Sequence, residues 1–385
     1  MKFIDLFCGI GGFHQALTNI GFECVFASDV DEHCRKIYSK NYNLNPAGDI
    51  TTVDEKSIPF FDILCAGFPC QSFSKAGHRK GFSDDRGNLF FDICRIAQFH
   101  KPKYMLLENV RNLASHDSGN TWKTIKSNIG SLGYETYENP LILNALYFNV
   151  PQNRERVIIL CKRIDLGKLP ELPQISKSKN TNIKLKDILV PSKIGLSGKL
   201  KVVEEVWHDF VKTLISNSIN APKFPVWTDC WDGSVGNDFY SKYKNWIDKN
   251  RDLYHKNKNV LDPWLERSRA RKEWKGAVRK FEWQAGDFLP DDGMDKVLWT
   301  ARGSGIRVKR PDYAPTLVAL SQVPVYGPES RRLTARELLR LQSFSDNFQF
   351  EEKHIYKQVG NAVNVKMVER CARFLILGEP LFETN

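Results

Sequence analysis

Cys70 lies in Gly67-Phe-Pro-Cys-Gln-Ser-Phe-Ser74, directly after the apolar run Asp62-Ile-Leu-Cys-Ala66, so a thiol stands where a buried strand would reach the surface. A thiolate is a soft nucleophile suited to adding to an electron-poor ring carbon. Glu108 closes a second apolar run, Tyr104 to Leu107. Apolar surroundings raise a carboxyl's pKa, which suits a group that must donate a proton. Asn109 follows and reads as a residue that fixes the loop. Arg154 and Arg156, in Gln152-Asn-Arg-Glu-Arg156, offer two guanidinium forks for a carbonyl and a neighbouring phosphate, with structural salt bridging as the other use of either.

A second group of residues has the pattern of a ligand pocket. A strand ending at Phe7 runs into Gly9, Ile10, Gly11 and Gly12, where missing side chains let the backbone turn tightly and approach a ligand. About twenty residues on, Asp29 ends a second strand, where a carboxylate can accept hydrogen bonds from ribose hydroxyls. Asp49 and Ile50 follow the next turn, and Asp49 could meet an exocyclic amine. His14 stands at the third glycine position of the dinucleotide fingerprint, so a cofactor without a pyrophosphate is favoured over a nicotinamide.

These residues need a scaffold that brings strand ends together. Short apolar runs at Phe3 to Phe7, Cys24 to Ala27, Asp62 to Ala66, Tyr104 to Leu107, Leu141 to Leu143 and Val157 to Cys161 alternate with helix-like stretches, as in a largely parallel sheet flanked by helices. Such a sheet binds ligands at the carboxyl ends of its strands. From about residue 170 to 330 the texture turns to Lys, Ser, Asn and Pro with weak periodicity. Eight of the nine tryptophans fall there, which predicts a separate domain with aromatic packing. Leu333 to Gln342, with a Thr at its N-cap, and Val363 to Leu377 read as closing helices.

The net charge is +11, and residues 171–330 hold 27 Lys and Arg against 20 Asp and Glu, compared with 20 against 18 in residues 1–170. A basic surplus concentrated in the insert suits a polyanionic partner. Nine cysteines form no C-x-x-C pair, against structural zinc and disulfides, and most read as small buried hydrophobes in a reducing compartment. The absence of a long apolar run or leader predicts a cytoplasmic protein that does not engage membranes. Gln71 to Asn88 is polar and glycine-containing and reads as a lid.

Five phrases, Asp5-Leu-Phe-Cys-Gly-Ile-Gly-Gly-Phe13, Pro69-Cys70-Gln71, Glu108-Asn109-Val110, Gln152 to Arg156 and Gln358-Val-Gly-Asn361, resemble in order the motif set of the DNA (cytosine-5) methyltransferases of bacterial restriction–modification systems. The resemblance covers roughly residues 1 to 165 and 330 to 370. It implies an α/β, Rossmann-like S-adenosylmethionine-dependent methyltransferase sheet over residues 1–170 plus 335–385, with a second, smaller target-recognition domain over 171–334. It implies S-adenosyl-L-methionine as cofactor, S-adenosyl-L-homocysteine as product and no metal. Phe7, Gly9, Ile10, Gly11, Asp29, Val30, Asp49, Ile50, Pro69, Leu89, Asn361 and Val363 match the family's cofactor contacts, and Arg154 its base-contacting arginine.

Cys70 would then attack carbon 6 of a cytosine flipped out of double-stranded DNA, with Glu108 at N3. Gln71, Ser74, Lys75 and Arg79 would meet the phosphates or fill the vacated space. Arg302, Arg307 and Lys309 would read bases or neutralise phosphates, and Thr316 with Leu317 matches the family's Thr-Leu pair. The expected context is a monomer with a cognate restriction endonuclease as functional partner. Two alternatives stay open: a cytosine-5 methyltransferase acting on tRNA, a branch that typically has Cys-Phe-Thr where this chain has Cys70-Gln-Ser-Phe-Ser, and a DNA-binding relative without catalysis.

Overall fold

The apolar runs of the first 165 residues become strands because their side chains are buried on both faces, as parallel sheets require. The structure, a computed structural model, describes residues 1–69, 89–174, 182–231, 233, 235–320 and 322–382. In chain order come β1 (Lys2–Leu6), α1 (Gly12–Thr18), β2 (Glu23–Ser28), α2 (Glu32–Tyr42), β3 (Ile63–Gly67), α3 (Leu89–His100), β4 (Tyr104–Val110), α4 (Asn120–Ser131), β5 (Tyr134–Glu135), β6 (Leu141–Asn144), β7 (Gln152–Asn153) and β8 (Glu155–Arg163).

The main sheet runs β2-β1-β3-β4-β8-β5, with β6 also on β8. Its first four strands are parallel, while β8 is antiparallel to β4. The connections reverse direction at β1, between β2 and β3, and such a switch point opens a crevice at the strands' carboxyl ends. The core beneath includes Ile4, Leu6, Leu64, Ala66, Met105, Leu107, Val157 and Ile159, all essentially without exposure.

The insert has far more regular structure than its texture predicts. It forms α5 (Gly198–Ser216), β9 (Val226–Trp227), α6 (Asn237–Lys256), α7 (Lys258–Arg269), β10 (Lys280–Trp283), β11 (Leu298–Arg302), β12 (Gly305–Lys309), β13 (Ala314–Pro315), β14 (Val325–Tyr326) and β15 (Arg331–Arg332). A six-stranded sheet, β15-β14-β11-β12-β10-β9, pairs strands brought together from distant parts of the insert. Its core is aromatic: Trp207 stacks on Phe281 at 4.4 Å, and Trp231, Trp264 and Trp299 are buried with it.

The chain closes with α8 (Ala335–Leu341), α9 (Ile355–Asn361) and α10 (Val365–Ala372), the last continued by a π turn, Arg373–Leu377. At the start of α8 the Glu337 N–H donates to Thr334 Oγ1 at 3.3 Å and the Thr334 N–H to Glu337 Oε2 at 2.7 Å, a reciprocal capping box. The chain divides into one unit of Met1–Lys184, Pro315–Ala319 and Leu338–Asn385 and another of Leu185–Ala314 and Leu320–Glu337. The first break thus falls after Lys184 rather than at 170. Residues 315–319 group with the first unit, where Thr316 Oγ1 donates to the Asn153 carbonyl at 2.7 Å. No described helix is long and apolar enough to cross a membrane.

Candidate active site

The carboxyl ends of β1 to β4 surround a cavity of ≈ 770 Å³ within the first unit. At the end of β1 the chain turns through Phe7 at φ 56°, a conformation a side chain adopts only when its surroundings impose it. The Gly9 N–H then donates to Asp29 Oδ2 at 2.8 Å, and the Asp31 N–H to Asp29 Oδ1 at 2.8 Å. Burial pushes the Asp29 carboxyl above its ordinary range against these two bonds. Arg35 Nη1 holds the carbonyls of Asp29 and Val30 at 2.8 and 3.0 Å, fixing the end of β2. Val30 is 76 % exposed, an apolar side chain left in the cavity wall. Asp49 accepts from the Thr51 N–H at 3.0 Å and Ile50 is buried beside it.

Phe7, Gly9, Asp29, Val30, Asp49, Ile50, Pro69, Leu89, Asn361 and Val363 all line this cavity, and Ile10 and Gly11 do not. Ile10 is a core residue with 1 % exposure. A Cβ on Gly11 would lie 2.2 Å from the Tyr42 ring, whose hydroxyl donates to the Gly11 carbonyl at 2.9 Å, so these two residues shape the turn from behind. Gly12 matters for the cavity itself: a Cβ there would come within 2.8 Å of the Val363 carbonyl oxygen. His14 belongs to the core, stacked on Tyr42 at 3.9 Å and bonded to the Tyr38 hydroxyl at 2.7 Å.

The other side of the same cavity holds Glu108 and Arg156, an ion pair at 2.8 Å with both side chains nearly buried. Burial pushes the Glu108 carboxyl above its ordinary range, and the guanidinium groups of Arg156 and Arg154 oppose that shift. Asn109 Nδ2 donates to the Phe68 carbonyl at 2.8 Å and so fixes the backbone two residues before Cys70. Cys70 itself, with Gln71, Ser74, Lys75 and Arg79, lies outside the described residues.

Arg154 takes a different part from the one its motif implies. It is 1 % exposed and does not line the cavity. Its guanidinium donates to the carbonyls of Leu317 at 3.1 Å, Gly360 at 3.1 Å and Ala362 at 2.8 Å. Arg156 is the guanidinium that faces the cavity.

Among the basic residues of the insert, Arg307 is paired with Glu282 at 2.9 Å, Arg302 is half-buried, and Lys309 has a partner within the chain. Arg310 grips Asp292 at 2.5 and 2.8 Å. Thr316 lines the cavity in the first unit.

Among the cavity residues not assigned a role from the sequence are Gln358 and Lys357. Gln358 is 4 % exposed, lines the cavity and has its side chain beside the Cys34 thiol. Lys357 bonds Asp31 at 2.9 Å at the same wall. Both adjoin or open the quoted Gln358 to Asn361 phrase, which was the available signal. Among the described residues no group of three or more His, Cys, Asp or Glu is arranged to hold a metal.

The family model for C-5 cytosine-specific DNA methylases matches residues 1–376. The chain belongs to this family. It is a DNA (cytosine-5) methyltransferase. It is 34% identical to the Type II methyltransferase M.HpaII of Haemophilus parainfluenzae, over 97% of this chain and 88% of that protein. With M.HgiCI of Herpetosiphon aurantiacus it shares 33% identity over 96% of each. With M.HhaI of Haemophilus parahaemolyticus it shares 48% over 191 residues, 50% of this chain and 57% of that protein. The fold is similar to that of the S. pombe Dnmt2 methyltransferase, with a TM-score of 0.52 and 18% identity, covering 98% of this chain and 99% of that one.

Proposed function

We propose that the protein methylates carbon 5 of a cytosine within a short specific sequence of double-stranded DNA, using S-adenosyl-L-methionine, and protects host DNA from a cognate restriction endonuclease. The observation that carries this reading is the Glu108–Arg156 pair facing the same cavity as Asp29, Val30 and Asp49. The target base and the methyl donor would thus share one chamber.

The cavity suits the cofactor. Asp29 and Asp49 offer acceptors for hydroxyl and amine hydrogens, and Phe7, Val30, Ile50, Leu89 and Val363 supply apolar walls. When bound, S-adenosylmethionine supplies an electrophilic methyl group and leaves as S-adenosylhomocysteine.

The residues of the chain prepare the cytosine. The Cys70 thiolate forms a bond to carbon 6 and the ring electrons move toward carbon 5, while the Glu108 carboxyl hydrogen-bonds or protonates N3 to accept the displaced charge. Arg156, rather than Arg154, is available to hold the base carbonyl. Once carbon 5 has gained its methyl group, loss of the carbon 5 proton and departure of the thiolate restore the aromatic ring. The base is reached only after it leaves the duplex stack.

Incubating unmethylated plasmid with the protein and S-adenosylmethionine, followed by bisulfite sequencing, tests the proposal. The expected result is protected cytosine at one recurring short context in wild type and none with Cys70→Ser. Complete conversion by folded wild-type protein that binds the cofactor would overturn DNA as the substrate.

A further inference from the structure

We infer that Arg154 is a positioning residue that locks the cofactor-lining segment 360–363 to the strand carrying Arg156. This rests on the proposed cofactor site. The guanidinium of Arg154 reaches three carbonyls on two distant segments, Leu317 on one side and Gly360 and Ala362 on the other, at 2.8 to 3.1 Å. Leu317, Gly360 and Ala362 themselves line the cavity, as do the intervening Asn361 and the following Val363. Two residues along the chain, Arg156 pairs with Glu108. One buried side chain therefore ties the two walls of the chamber together.

The same junction is closed from the opposite side by Gly360. A Cβ there would lie 2.4 Å from the Val318 carbonyl carbon and 2.5 Å from the Ala319 nitrogen, so only glycine lets the 317–319 backbone run over α9. Gln342 Nε2 adds a bond to the intervening Val359 carbonyl at 2.8 Å. Planar guanidinium geometry is what allows several carbonyls to be held at once; an ammonium keeps the charge without the fork.

The test is calorimetric binding of S-adenosylhomocysteine, without DNA, to wild type, Arg154→Lys, Arg154→Met and Gly360→Ala, together with kcat and KM for S-adenosylmethionine. Arg154→Lys is expected to weaken binding and raise KM by about tenfold through the loss of one charge-assisted hydrogen bond, and Gly360→Ala to do so by at least as much by pushing the 317–319 backbone off α9. Cofactor-free affinity for duplex DNA should change by less than about twofold. Unchanged S-adenosylhomocysteine binding with lost trapping of a 5-fluorocytosine duplex would overturn the inference and make Arg154 a base contact. Lowered melting temperature with unchanged binding well below the melt would overturn it in favour of a stabilising role alone. If Arg154→Met does not fold, the other two variants carry the test. Failure of wild type to bind S-adenosylhomocysteine would instead sink the cofactor reading.

Discussion

Glu108 and Arg156 meet because β4 and β8 are antiparallel in a register that places Glu108 opposite Ile158 and Arg156 opposite Val110. They are therefore diagonal neighbours on one face of the sheet, within reach of each other's long side chains, and their charged ends lie 2.8 Å apart. Burial favours the neutral carboxyl and the arginines favour the carboxylate, and the net upward shift suits the proposed role of Glu108 as a donor to N3.

Glu108→Gln should therefore slow methyl transfer by about 10²- to 10⁴-fold, the usual contribution of a positioned acid. Its S-adenosylhomocysteine affinity should stay unchanged. Because burial raises the Glu108 pKa, the acid form persists to higher pH than for an ordinary carboxyl. Wild-type kcat should then fall as pH rises through that raised value, and the falling limb should be absent in the variant. Single-turnover rates across the pH range check this, and an identical limb in both proteins would assign the titration to another group.

Arg156→Leu offers the converse. Arg156 is the foremost group opposing the upward shift of Glu108, so its removal should move the falling limb to higher pH while the rate drops. An unmoved limb would mean that the pair is broken in the working complex, and a limb at lower pH would assign the titration to another group.

The aromatic core of the insert gives a third expectation. Trp207 has no exposure, stacks on Phe281 and donates its Nε1 hydrogen to the Val278 carbonyl at 2.9 Å. Trp207→Ala should cost about 3 to 5 kcal/mol, as large aromatic truncations in cores do. Because the described residues that line the proposed cofactor cavity all belong to the first unit, S-adenosylhomocysteine binding should survive while sequence-specific DNA affinity falls. Parallel loss of both would show that the two units fold as one.

The parallel sheet was legible because each of its strands is an apolar run ended by a turn, and the Gly9, Asp29 and Glu108 positions follow from those strand ends. The insert was harder to read. Its strands are two to five residues long, several of them pair across twenty or more residues, and α7 even carries Pro263 inside it. Yet α5 did hold a signal, since Val203, Val206, Trp207, Phe210, Val211 and Leu214 are buried at helical spacing. The two arginines could not be told apart locally, since they stand two residues apart in one polar phrase. What separates them is chain from 317 and 360–362 arriving over Arg154, a tertiary fact with no local trace.

Asp5, inside β1, gives the last expectation. It has no exposure, and burial pushes its pKa well above the ordinary 3.8 against hydrogen bonds from the His14 backbone N–H and the Tyr38 hydroxyl. A group whose folded pKa is raised stabilises fully below its unfolded pKa, and that contribution is lost as pH rises through the folded value. His14 works oppositely: burial lowers its pKa from 6.5 to about 4, so its neutral form loses stability as pH falls across that interval. Asp5→Asn removes only the first effect. The variant should melt above wild type at about pH 8.5, with the gap shrinking toward about pH 5, where the wild-type carboxyl holds its proton. Thermal melts at both pH values decide it: a gap that does not depend on pH would mean that Asp5 is not what titrates, and a lower melt throughout would mean that the carboxylate has a partner the amide cannot replace.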